Sequence, residues 1–196
     1  FEWRIKEKSK KEYRNTKLKS KLWQGENLDK KSILILSEQG FGDIIHFARY
    51  IYELEERYDV KIIFRTHKKL IHLFYKSNIH IIDNEKNILE LDYHVYVMSL
   101  ANFYYQKEKK LLKQYYFINK NNEIYSKWKK TFAKINTPKI GIYWQGSKNY
   151  MGDRYRSIPL NYFESLFEIR GVEYINLQKG FGEEQINTFK YKDRLH

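Results

Sequence analysis

Two stretches of the chain hold side chains whose types and spacing could do chemistry. The first is Gly40-Phe41-Gly42-Asp43, where a carboxylate follows two glycines at the start of an amphipathic segment. A carboxylate at the rim of a cleft can take a proton from a hydroxyl nucleophile. The dipole of a following helix favours its ionised form. The competing reading is a helix cap, because aspartate is a preferred N-cap residue. His46 lies one turn on and could share that rim; a structural role is its alternative. The glycines permit positive φ and close approach to the backbone. They do not complete a dinucleotide-binding fingerprint: Ile45 stands where a third glycine is needed, and no P-loop lysine follows.

The second stretch is Asp153-Arg154-Tyr155-Arg156-Ser157-Ile158-Pro159. Two guanidinium groups ahead of a helix N-terminus can hold a phosphate. Solvated surface arginines are the alternative. Ser157 can bond a phosphate oxygen or cap the helix. Gln178 and Lys179 close the next apolar run, on the same edge. His67, His72, His80 and His94 lack HExxH spacing, and no GxSxG elbow occurs, so neither a metal centre nor a serine hydrolase is expected.

The elements that must position these residues follow from periodicity. Ile33–Leu36 is apolar on both faces, as a central parallel strand is. Ile44, Phe47, Ala48, Ile51 and Leu54 fall at helical spacing, predicting a helix to Arg57. Strand, glycine turn and helix open a βαβ unit. Val60–Phe64, Ile79–Ile82 and Asp92–Val97 read as further strands, and His67–Lys76 as a helix. Residues 101–121 read as loop with some helix. Glu123–Ile135 reads as a helix that stops ahead of Pro138. A second unit then begins: strand Lys139–Trp144, polar loop Gln145–Arg156, helix from Ser157 to Ile169, strand Val172–Leu177.

This order predicts the α/β class with a mostly parallel sheet. Ligands in such sheets bind outside the carboxyl ends of the strands. Asp43, Arg65 to His67 and Met98-Ser99-Leu100 are expected at that edge. The expected organisation is a polar connector over 1–30, a complete first domain over 31–137 and the beginning of a second over 138–196. Two such units imply a cleft between them.

The 196 residues carry a formal net charge of +13, with 42% hydrophobic and 17% aromatic residues. That is enough apolar side chain for a core, and the charge favours anionic partners or simply solvates the surface. The absence of cysteine excludes disulfides, zinc ribbons and thiol nucleophiles. No apolar stretch approaches the roughly 20 residues of a membrane-spanning helix. Aromatics interleaved with lysines over 103–130 admit a nucleic-acid-binding module as an alternative, although no RNA-binding motif accompanies them.

Taken together the motifs resemble a known family. EQGFGDIIHFARY is similar to the EQGxGDxIQFxRY segment of bacterial tetratricopeptide-repeat-linked glycosyltransferases, relatives of the lipopolysaccharide heptosyltransferases. Glu2-Trp3-Arg4 resembles their EWR element. Trp23-Gln24-Gly25-Glu26 resembles WxGE, with Trp23 expected against the sheet edge. Leu91-Asp92-Tyr93-His94 with Met98-Ser99-Leu100 resembles FDxH…LxSLP. Gly141 to Gly146 resembles GLVWAGNP, Asp153 to Leu160 resembles DRxRSIPL, and Leu177-Gln178-Lys179-Gly180 resembles SLQKG. The departures are His46 in place of glutamine, and Ala101-Asn102 where a proline follows Ser-Leu.

The resemblance implies a GT-B fold of two Rossmann-like domains, the first receiving an acceptor and the second a nucleotide-sugar. It implies Asp43 as catalytic base, with Gly40, Gly42, His46 and Ser99 on the acceptor side. It implies Arg156 on the donor diphosphate, with Gly146, Arg154, Ser157, Gln178 and Lys179 around it. The nucleotide-sugar is then a co-substrate, and no cofactor or metal is expected. A glycan, lipid-linked glycan or protein is the expected acceptor, with nucleic acid disfavoured. The expected location is the cytoplasm, with peripheral association at the inner membrane an option. The family's later DTxxAHLAG donor segment does not occur, so a fragment inactive by itself is expected; a degenerate, non-catalytic scaffold is the alternative.

Overall fold

The computed structural model describes residues 18–74, 78–84, 90–108 and 122–196. Residues 1–17 of the expected connector, the Glu2-Trp3-Arg4 element and most of the 101–121 segment lie outside these. The chain divides into two compact units, Phe1–Lys120 and Asn121–His196. The expected boundary was Pro138; the helix before that proline belongs instead to the second unit.

The first unit is a five-stranded, wholly parallel sheet: β1 (Lys21–Leu22), β2 (Lys31–Leu36), β3 (Val60–Arg65), β4 (His80–Ile82) and β5 (Tyr93–Tyr96). The spatial order is β1-β5-β2-β3-β4. β2 is central because Ile33–Leu36 is apolar at every position and fully buried. Ile33 stands opposite Ile62 and Tyr93, and Ile35 opposite Phe64 and Val95. Helices α1 (Phe41–Arg57) and α2 (Val97–Glu108) cover one face, where Ile44, Ala48, Ile51 and Leu54 meet Ile33, Ile35, Phe64 and Leu100. The other face carries Leu34, Leu36, Ile63 and Tyr96. Alternate residues of β2 therefore feed two cores, which a run without polar interruptions makes possible.

The amino-terminal edge of the sheet is tied by polar side chains. The Asp92 carboxylate accepts from the backbone N–H and hydroxyl of Ser32 at 2.9 and 2.8 Å. These bonds, with Lys31 nearby, hold its carboxyl below the usual range. His94 donates from Nδ1 to the Ser20 carbonyl at 2.9 Å, and burial depresses its pKa below the ordinary 6.5. Trp23 packs on Phe103, ring centroids 4.8 Å apart, and its Nε1 donates to the Glu26 carbonyl.

The second unit holds helix α3 (Asn122–Phe132) and a parallel pair, β6 (Lys139–Ile142) and β7 (Glu173–Asn176). Leu195 bridges Tyr174, so the end of the chain starts a third position beside β7. Phe167 is fully buried and stacks on Tyr174 with centroids 4.1 Å apart.

Three expectations are corrected. Residues Leu160–Glu168 form a 3-10 helix, not an α-helix, with Leu160 and Phe167 buried and Phe163 and Leu166 packed against the same core. Lys68–Phe74 is likewise 3-10. The strand expected over Asp92–Val97 is shorter: Val97 already begins α2, which runs to Glu108, inside the segment expected to be loop with some helix. Among the described residues no helix is long and apolar enough to cross a membrane.

Candidate functional site

In the first unit the turn after β2 carries Ser37, Glu38, Gln39 and Gly40 into α1. Gly40 is the N-cap, and Asp43 is the third helical residue rather than the cap itself. Its carboxylate reaches back to the Gly40 N–H at 3.2 Å. That is one half of a capping box; glycine has no side chain to supply the other. Asp43 is exposed, so the remaining carboxylate valences face solvent. The cap thus leaves room for proton transfer.

The glycines do not act as expected. Neither Gly40 nor Gly42 takes positive φ; Gln39 does, at 64°. A Cβ on Gly42 would meet nothing within 4 Å, so the backbone there borders open space. His46 is exposed and pairs through Nδ1 with Arg49 Nη2 at 3.1 Å. Ser99 is 2% exposed, in the first turn of α2. It is therefore buried, unlike the rest of the predicted acceptor side.

Beside this turn lies a cavity of about 280 Å³ at the carboxyl ends of the strands. Its walls include Glu38 and Gln39 after β2, Arg65, Thr66 and His67 at the end of β3, and Asp83 after β4. Glu38 is only 5% exposed, and its Oε1 accepts from the Met98 N–H at 3.1 Å. It spans from β2 to the start of α2, where strand order reverses across the sheet. A carboxylate at that helix N-terminus is stabilised by the dipole and repels an added anion. Glu38 was absent from the sequence-predicted site. Its signal is a lone acidic residue two positions after the apolar run Ile33–Leu36.

In the second unit the loop after β6 is organised by Asp153, which is 9% exposed. Its carboxylate accepts from Ser157 Oγ at 2.7 Å, Gln145 Nε2 at 2.9 Å and Arg156 Nε at 3.0 Å. The Ser157 bond above all, then Arg156 and Gln145, lowers its pKa from the usual 3.8. Ser157 also accepts from the Gly146 N–H at 2.8 Å. It is thus a loop clasp, not the expected N-cap; Pro159 holds the cap position without a side-chain bond. Gly146 is required by packing, since a Cβ there would stand 2.0 Å from Asp153 Oδ1 and 2.7 Å from Arg156 Nη2.

Arg156 is held at Nε by Asp153 and lies over the Tyr150 ring, 4.5 Å from its centroid. Its side chain remains 53% exposed. Arg154 packs on the neighbouring Tyr155 and donates to its hydroxyl. Gln178 is 4% exposed and uses both ends of its amide: Oε1 accepts from Trp144 and Gln145 N–H, while Nε2 donates to the Gln145 and Phe181 carbonyls. That saturates it as a strut between β6 and the turn after β7. Lys179 is exposed. The Leu160 N–H at the start of the 3-10 helix is taken by Gln185, which removes one donor expected for a phosphate.

The structure therefore brings Gly146, Asp153, Arg156 and Ser157 into one network, with Gln178 joined through Gln145. Arg154 and Lys179 stay at its surface. Asp153 is its hub, and sequence reasoning named it only as part of a motif. Of the aromatics offered for nucleic-acid stacking, Phe103 and Tyr104 are engaged with Trp23 and Tyr50. No group of three His, Asp or Glu among the described residues could hold a metal ion. No protein-family model, curated protein or solved structure matches the chain significantly.

Proposed function

We propose that the chain contributes to glycosyl transfer from a nucleotide-sugar to an acceptor hydroxyl, in a protein of GT-B type. The observation that carries this reading is the preset guanidinium of Arg156. Asp153 fixes it through Nε, which leaves the two Nη groups of a half-exposed fork for a bidentate anion. A guanidinium fixed before the ligand arrives stabilises a leaving diphosphate without reorganisation. Asp43 is the base: an exposed carboxylate whose single backbone bond orients it. It takes the proton of the acceptor hydroxyl as that oxygen bonds to the anomeric carbon. The bond from that carbon to the diphosphate oxygen breaks, and the diphosphate leaves against Arg156. The ordered set of motifs and the α/β architecture of the first unit support the same reading.

The test is titration of the natural gene product with UDP and ADP. Arg156→Ala should weaken diphosphate binding by about tenfold or more, the loss of a charged bidentate pair. Equal affinity of wild type and variant removes the role assigned to Arg156.

A further inference from the structure

Three features of the first unit coincide at one place and are unused by the roles given above. The first is the cavity of about 280 Å³ beside the Glu38–Gly40 turn. It falls just below the usual range for organic ligands, about 300–1,000 Å³, and suits one ring rather than a nucleotide. The second is Thr66 in its wall: 2% exposed, with an Oγ1 that has no hydrogen-bond partner among the described residues. A buried hydroxyl left unpaired is costly, and its persistence needs a reason. The third is Gln39 at the rim, a non-glycine residue at φ 64°. Such backbone strain gathers where ligands are held.

The chemistry of the wall narrows the ligand. Glu38 and Asp83 set two formal negative charges against the one guanidinium of Arg65. An anion entering here meets a net repulsion inside a chain that is otherwise strongly basic. The His67 Nδ1 accepts from the Lys69 N–H at 3.2 Å, so Nε2 carries a proton to donate. Carboxylates, an imidazole donor, a threonine hydroxyl and the Gln39 amide match the alternating donors and acceptors of vicinal hydroxyls. Phe41 and Tyr96 supply apolar walls.

We propose that this cavity binds a single sugar ring without negative charge, resting on the transferase reading in that the ring is part of the acceptor. Thr66 turns about χ1 to bond a ring hydroxyl when the cavity fills. Selectivity follows from the polar wall: a site built to pair hydroxyls rejects ligands that leave it unpaired.

The experiment is ligand-observed saturation-transfer NMR with the methyl glycosides of glucose, galactose and mannose. Glucose 6-phosphate and glucuronate are the anionic arms. At least one neutral glycoside should bind more tightly than either anion. Thr66→Val keeps the β-branched shape and removes only the hydroxyl. It should weaken that binding about three- to tenfold while leaving the melting temperature unchanged or higher, since the lost hydroxyl was unpaired. A fall in melting temperature with unchanged binding makes Thr66 merely structural and overturns the inference. Tighter binding of either anion, or no binding of any glycoside, also overturns it. Glycoside binding that depends on Thr66, in a protein that transfers no sugar, leaves this site standing and removes the transferase reading. Transfer whose acceptor KM ignores Thr66→Val and Asp83→Asn does the reverse.

Discussion

The rim of the five-stranded sheet and the loop after β6 hold polar residues in opposite ways. At the sheet rim Asp43 has one backbone bond, Gln39 is strained and the Thr66 hydroxyl is unpaired. In the loop Asp153 has three donors, Ser157 is bonded twice and Gln178 four times. One region leaves hydrogen-bonding valences of Asp43 and Thr66 open. The other spends its valences on itself and so presents a single guanidinium in a fixed direction. On the proposed transferase reading, an acceptor that must be chosen and a diphosphate that must be neutralised would make those two different demands.

Substitutions can break this contrast from either side. The largest effect on donor affinity is expected in the loop. Asp153→Asn removes the charge that holds Arg156, and UDP or ADP affinity should fall toward that of Arg156→Ala. Loss of affinity without loss of the second unit's circular dichroism is the expected pair of results. Next, Gly146→Ala forces a methyl into Asp153 and Arg156. It should destabilise by about 1–3 kcal/mol, the usual cost of overpacking, read from urea midpoints.

The sheet rim predicts the opposite sign. Gly42 is helical and its Cβ would meet open space, so Gly42→Ala should stabilise by about 0.5–1 kcal/mol. If an acceptor approaches that backbone, the same methyl should raise acceptor KM. A stabilised variant with unchanged KM would place the acceptor elsewhere.

The smallest effect concerns the far edge of the sheet. Burial depresses the folded pKa of His94, so the unfolded chain takes up a proton first as pH falls. Stability from this residue is complete above about pH 6.5 and is lost as pH drops through the folded value. His94→Gln should flatten the urea midpoint between pH 7 and 5. An unchanged slope would assign that pH dependence to other groups.

Much of the first unit was legible because Ile33–Leu36 is an apolar run, and Val60–Phe64 and Ile79–Ile82 are apolar but for Lys61 and His80, all bounded by polar turns. β1 was not: two residues, Lys21 and Leu22, within a lysine-rich stretch give no period to detect. The boundary between β5 and α2 falls inside the apolar run Val95–Met98, where strand and buried helix look alike. Spacing suggested a helix after Pro159 but not its 3-10 geometry, since positions 160, 163 and 166 suit either over so short a span. Among the site residues, Asp43 and Arg156 stood out by type and place. Glu38, Thr66 and Asp153 did not, because burial and hydrogen-bond saturation are properties of the folded neighbourhood and not of the residue.

The roles of Asp43 and Arg156 meet in one measurement, single-turnover transfer by the natural gene product and its Asp43→Asn variant, with donor affinity titrated in parallel. The account predicts a fall in the transfer rate of about 10²–10⁴-fold, the range for loss of a general base, with donor affinity unchanged. An unchanged rate would reduce Asp43 to the residue that caps α1.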